Sequence, residues 1–99
     1  MPISNQWWAL SGAENAPELQ GVYELGSAGS EVVYIGRSGN LRRRLTEHKS
    51  APAGSCIGRQ ASKYRYEVTS SSVSREPALI QEYKLAHGGN LPPCNEATP

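Results

Sequence analysis

Tyr23, Tyr34, Arg44 and His48 are of types suited to holding and cutting a phosphodiester. A guanidinium carries the charge of a phosphate, while phenols and an imidazole orient water and move protons. Two short stretches lead to them. Gly21-Val22-Tyr23 is followed, after a small polar link, by Val33-Tyr34-Ile35-Gly36-Arg37, which runs straight into Ser38-Gly39-Asn40-Leu41-Arg42-Arg43-Arg44-Leu45-Thr46-Glu47-His48. Each stretch reads as a strand edged by glycine, and the second feeds a helix.

Helical geometry sorts the basic residues. With Leu41 at zero, Arg44 falls at about −60°, Leu45 at about +40° and His48 at about −20°, whereas Arg42 and Arg43 turn away. Leu41 and Leu45 must anchor the helix, so Arg44 and His48 flank or share its buried stripe. A lone histidine there is usually a satisfied core residue, and a long cation can snorkel out. The pairing of the two at i, i+4 beside tyrosine-bearing strands favours a site. Three arginines in the first turn also oppose the helix dipole, which makes sense if an anion binds there.

A second anomaly lies near the end. Ala78 and Leu79 precede Glu82 by four and three residues, and Leu85 and Ala86 follow by three and four, so the carboxylate sits within an apolar stripe. A buried unpaired carboxylate is costly, so Glu82 should meet a cation or a metal. An arginine of the first helix is the rival partner.

The elements that position these groups are legible in outline. Gly21 to Leu25 and Glu31 to Arg37 form a hairpin around Gly26-Ser27-Ala28-Gly29-Ser30, and Lys63 to Thr69 alternates as a half-buried third strand. Asn40 caps a helix to about Lys49, and Ser74 caps another that ends at Gly88-Gly89 with Pro77 in its first turn. A short helix fits between Pro52 and Ala61, and Pro92-Pro93 predicts an extended tail. Trp7 and Trp8 cap the core or stack on a base. The order β-β-α-(α)-β-α implies an α+β domain: a small three-stranded antiparallel sheet flanked by helices.

The chain has 99 residues, enough for one domain with a modest core. No apolar run approaches a membrane span, and no signal peptide is expected. Cys56 and Cys94 do not make a disulfide scaffold, and a reduced, cytoplasmic setting is expected. A zinc set of Cys56, Cys94, His48 and His87 matches no standard spacing. The net charge of +1 conceals an asymmetry, because residues 1–36 hold four glutamates and no Lys or Arg. Residues 37–65 carry Arg37, Arg42, Arg43, Arg44, Lys49, Arg59, Lys63 and Arg65 against Glu47 alone. Such a block attracts a polyanion, or is simply a solvated face.

These motifs together resemble the GIY-YIG nuclease family. Its order is a G-(I/V)-Y strand, a Y-(I/V)-G strand, a helix with an arginine and then His or Tyr, a later glutamate, and an asparagine near the end. Here the order falls on Gly21-Val22-Tyr23, Tyr34-Ile35-Gly36, Arg44, His48, Glu82 and Asn95. Tyr34 through Leu45 is similar to the nuclease domain of the bacterial excision-repair incision subunit, and the family also includes phage homing endonucleases. Ala78-Leu79-Ile80-Gln81-Glu82 followed by Pro92-Pro93-Cys94-Asn95 resembles the closing pattern. The likeness covers residues 20–96, with a lead-in over 1–19. Glu76-Pro77 departs from the more usual acid-alanine start of the final helix.

The resemblance implies metal-dependent endonuclease chemistry on DNA, in repair or in a mobile element of phage or bacterial origin. Glu82 would hold Mg2+ or Mn2+, Tyr34 would position or deprotonate the attacking water, and Tyr23 would help fix it. Arg44 would stabilise charge at phosphorus, and His48 would relay a proton or support Tyr34. Asn95 would order the edge of the site, while Arg37, Arg42, Arg43 and Lys49 would hold DNA phosphates. Target specificity would come from a protein partner or from the shape of the DNA. The alternatives are a catalytically silent nucleic-acid-binding module and a subunit of a larger DNA-processing complex.

Overall fold

The computed structural model describes residue 3 and residues 6–96. Parts of the domain expected over 1–99, namely residues 1, 2, 4, 5 and 97–99, lie outside the described residues. In chain order the elements are β1 (Trp8–Ala9), a 3-10 segment (Leu10–Asn15), β2 (Gly21–Gly26), β3 (Val32–Ser38), α1 (Leu41–Lys49), α2 (Cys56–Gln60), β4 (Lys63–Val68), α3 (Ser72–Ala86) and α4 (Pro93–Glu96). The class is α+β, as expected. The sheet has four strands in the order β1-β4-β2-β3, one more than expected, and every pairing is antiparallel. The extra strand pairs Trp8 with Tyr64 and Ala9 with Lys63, and two residues are too few to show an alternating pattern.

Register divides the chemistry between two faces. Tyr23 lies opposite Gly36 and Tyr66, and Leu25 opposite Tyr34 and Tyr64. These side chains share the face covered by α1 and the 3-10 segment, in one core with Leu10, Ala13, Ala16, Leu41, Leu45 and Cys94. Val22 and Glu24 point the other way, with Ile35, Arg37, Arg65 and Glu67 as their neighbours in register. There Leu79 of α3, flanked by Ile80 and Tyr83, closes a second cluster on Ile3, Val22 and Ile35.

Local physics accounts for most element ends. Asn40 caps α1 as expected, its Oδ1 accepting from the Arg43 N–H at 3.0 Å. The link between β2 and β3 closes where the Ser27 N–H donates to the Glu31 carbonyl, with Ser30 in the left-handed region at φ 66°. α3 starts at Ser72 rather than after Ser74, whose hydroxyl donates to the Ser71 carbonyl. Pro77 therefore lies inside the helix. Lacking an N–H, it cannot donate to the Val73 carbonyl four residues back, and Val73 is exposed. The tail is not wholly extended, because Pro93 opens the short α4, a position where proline's missing donor costs nothing.

Cys56 and Cys94 form a disulfide between α2 and α4. This replaces the free thiols expected from sequence and removes both sulfurs from the zinc set. Trp7 lays its ring over the Arg65 guanidinium, 4.2 Å away, and against Gly26, where a side chain would collide with it. Trp8 is half exposed. Among the described residues, no helix is long and apolar enough to cross a membrane.

Candidate active site at the edge of strand β3

Three of the expected residues meet under α1. The Tyr23 hydroxyl and His48 Nε2 share a hydrogen bond of 2.7 Å. The Tyr34 ring closes the triangle, its centroid 6.1 Å from that of Tyr23 and 5.3 Å from that of His48. Tyr23, His48 and Tyr34 are 1%, 6% and 8% exposed, so they form a buried floor rather than an open pocket. Glycine at position 36 makes this possible, since a Cβ there would lie 2.5 Å from the Tyr23 hydroxyl and 2.9 Å from the Tyr34 ring.

Arg44 forms the solvent side of the same cluster. Its Nη1 donates to Glu47 Oε1 at 2.9 Å, and its charge acts on both Tyr23 and Tyr34. Glu47 thus orients the arginine, a role not foreseen from sequence although the i, i+3 spacing on α1 would have shown it. The same pairing holds the guanidinium firmly charged, well above its usual range.

The floor is held neutral. Burial pushes the Tyr23 phenol well up, with Tyr34 adding to the effect and Arg44 opposing it. Tyr23 therefore keeps its proton at neutral pH and serves to hold His48. Burial, with the Arg44 charge beside it, lowers the His48 imidazole to about 4. Its unfolded value is near 6.5, so between those values the unfolded chain binds the extra proton. The stabilisation from neutral His48 is thus complete above about pH 6.5 and is lost as pH falls toward 4. Urea unfolding of wild type and His48→Gln across this range should show a difference that shrinks on acidification. A difference independent of pH would contradict a neutral buried imidazole.

The outer edge of β3 is tied down by Asn95. Its Oδ1 accepts from the Ile35 N–H at 2.8 Å, and its Nδ2 donates to the Ile35 carbonyl at 2.9 Å. Asn95 thus makes two bonds to the residue after Tyr34. Past Gly36, Arg37 emerges on the α3 face, where its Nε donates to Glu76 Oε1 at 3.3 Å. Arg37 and Glu76 line an open, polar cavity of about 680 Å3 with Gln20, Ser38, Gly39, Ser72 and Val73.

Glu82 is not part of this arrangement. It lies on the α3 face, lining a different cavity with Glu24, Arg65 and Leu79, and its Oε1 is 3.9 Å from Arg75 Nη1. Neither Tyr23 nor Tyr34 faces that side of the sheet. The apolar stripe misleads because Leu85 is 76% exposed, so the buried line of α3 runs through Leu79 instead. From Leu79, Glu76 at i−3 and Glu82 at i+3 turn about 60° to opposite flanks. Glu76 is the flank that meets β3 through Arg37. The rival reading, a salt bridge to an arginine of α1, gives way to one with Arg75 of its own helix.

The remaining basic residues are occupied differently from expectation. At the start of α1, the Leu41 and Arg42 N–H groups donate to the Leu19 and Pro17 carbonyls, and Arg43 N–H to Asn40. These acceptors fill the place expected for an anion. Arg42 pairs with Glu18, Arg43 with Glu47, and Lys49 with Glu14. The acidic lead-in folds back on the basic helix, a long-range pairing that charge counts along the sequence do not reveal.

Comparison with known proteins agrees with this fold. A family model described as a domain of unknown function, DUF7508, matches residues 1–86. The UvrABC system protein C of Rickettsia canadensis (strain McKiel) is 34% identical over 74 residues. That match takes in 72% of this chain but 11% of the relative's length. Among solved structures, the GIY-YIG N-terminal endonuclease domain of UvrC from Thermotoga maritima, bound to magnesium as its catalytic divalent cation, superimposes with a TM-score of 0.62 at 27% identity. The overlap covers 73% of this chain and 85% of that domain. A point mutant of the same domain bound to the cation gives 0.62 at 26% identity.

Proposed function

The chain belongs to the DUF7508 family and to the GIY-YIG nuclease superfamily, and from that premise we propose that it is a divalent-metal-dependent DNA endonuclease working at the outer edge of β3. The observation that carries this reading is the convergence of Tyr23, Tyr34, His48 and Arg44 around Gly36, with Asn95 fastened to the adjacent backbone. That arrangement supplies an oriented guanidinium above a buried floor of phenols at the edge of the sheet.

A magnesium or manganese ion would be held by Glu76, with water completing its shell. Glu76 offers a carboxylate oxygen at the rim of a polar cavity with room for water, the kind of site in which magnesium keeps most of its hydration. Glu82, on the other flank of α3, is set toward Arg75 and lines a different cavity with Glu24 and Arg65. When bound, the cation would polarise the scissile phosphate and stabilise the leaving oxygen. The chain's own residues do the rest. Arg44, held by Glu47, neutralises charge that grows on the phosphoryl oxygens, and Arg37 binds the phosphate once it turns from Glu76. Tyr34 orients the attacking water from below, and the Tyr23–His48 pair keeps that ring in place. Asn95 stops the edge strand from fraying.

Target DNA, a protein partner that supplies specificity, and a role in repair or in a mobile element are parts of this proposal. So is a cytoplasmic location. The burial of the phenols favours one competing reading, a module that binds nucleic acid without cutting it. A plasmid-nicking assay with Mg2+ separates the two. Wild type should nick, and Arg44→Ala should lose about 10²- to 10³-fold while melting normally. Binding without nicking by the wild type would select the silent module.

A further inference from the structure

We infer that the Cys56–Cys94 disulfide is a redox latch for the site edge: intact, it holds Asn95 against Ile35; reduced, it lets that edge open while the sheet stays folded. α4 covers only Pro93–Glu96, far too short to persist as a helix by itself. The segment before it leaves α3 through a left-handed turn at Gly88 and Gly89, φ 66° and 88°, closed by the Gly89 N–H donating to the Lys84 carbonyl. What places α4 is its attachment to other elements. Cys94 is fully buried in the cluster that contains Val33, Tyr34 and Leu45, and its sulfur is bonded to Cys56 of α2. The next residue, Asn95, makes both of its side-chain bonds to Ile35, which follows Tyr34 on the sheet's outermost strand.

The bond spans a sequence separation of 38 and keeps the two Cα atoms 5.5 Å apart. While it is intact, Asn95 that breaks away from Ile35 stays within reach and rebinds as an intramolecular ligand. Once the bond is cut, the segment is covalently tethered only through the turn after α3, with the burial of Pro92 and Cys94 as its remaining hold, and its effective concentration at the strand falls. Chemically the latch is accessible from one side. Cys56 is part exposed whereas Cys94 is fully buried. A thiolate of a small dithiol attacks Cys56 Sγ, and Cys94 leaves as a thiolate that takes up a proton. The second thiol of the reductant then displaces Cys56. Two electrons and two protons pass to the protein, and the reductant closes to its own disulfide.

The test is amide hydrogen exchange on the whole chain by NMR, before and after dithiothreitol. The Ile35 amide should exchange at least tenfold faster in the reduced protein, while Tyr23 and Leu25 amides in β2 keep their protection. Cys56→Ala should reproduce the reduced pattern without reductant and show no further change when reductant is added. Oxidised glutathione should restore protection to the reduced wild type. Equal Ile35 protection in both redox states would overturn the latch. So would a uniform acceleration of β2 and β3, which would mark the bond as a global staple. The readout involves no cleavage, so a failed latch and a failed nuclease reading remain distinguishable.

Discussion

Glu76→Gln should reduce magnesium-dependent nicking by about 10³-fold, while Glu82→Gln stays within a few-fold of wild type. Both changes remove one charge and keep the shape of the side chain, so they differ only in place. Glu76 stands beside Arg37 at the end of β3, one residue past Gly36 but on the α3 face, with the two phenols on the other face of the sheet. Glu82 stands on the opposite flank of α3, among Glu24, Arg65 and Arg75. The loss in Glu76→Gln should lie in turnover and persist at high magnesium if the carboxylate is essential to the bound ion. Equal losses in both variants would mean that α3 rotates in the working state. A loss confined to Glu82→Gln would return the role to the residue that the sequence pattern singled out.

The largest effect on stability should come from Arg65→Met. Glu24 is 3% exposed in the central strand, and its Oε1 accepts from Arg65 Nε at 2.6 Å. Trp7 covers the guanidinium from outside, and Arg75 with Glu67 and Glu82 extends the charged layer. Removing Arg65 strands a carboxylate in a buried place, at a cost of about 3 kcal/mol in urea unfolding. Removing both charges in Arg65→Met with Glu24→Leu should recover most of that loss, because neither group is then left unpaired. The pH dependence has a definite sign. Burial already raises the Glu24 carboxyl above its ordinary value, against the lowering pull of Arg65. Without Arg65 the folded chain holds the proton more tightly than the unfolded one, so the deficit of the single variant should narrow as pH falls. A deficit that is constant with pH would show that the lost term is packing against Trp7, not charge.

Much of the site is written locally and was therefore legible. Tyr23 and Tyr34 follow from the strand pattern, and Arg44 and His48 from their places beside Leu41 and Leu45. The Asn40 cap follows from a side chain that reaches three residues ahead. What could not be read depends on partners far away in sequence. The helical stripe around Glu82 placed the buried line of α3 wrongly, because Leu85 is exposed and the line runs through Leu79, and it could not say which edge of the sheet each flank would face. Only packing of Leu79 onto Val22 and Ile35 decides that Glu76 turns toward β3. Lys49 and Arg42 looked available for phosphate because Glu14 and Glu18 lie in a lead-in whose path the sequence leaves open. The disulfide joins two short helices whose adjacency exists only in the finished fold. β1 escaped for a different reason, since two residues carry no period.

The claim at the centre is that a divalent cation binds at the β3 edge, on Glu76. Titration with Mn2+ while recording amide NMR tests it most directly, because the paramagnetic ion broadens only nearby signals. The account predicts that Arg37, Ser38 and Glu76 amides broaden first, and that Glu76→Gln abolishes the effect while Glu82→Gln preserves it. Broadening centred on Glu24, Arg65 and Glu82 would contradict it.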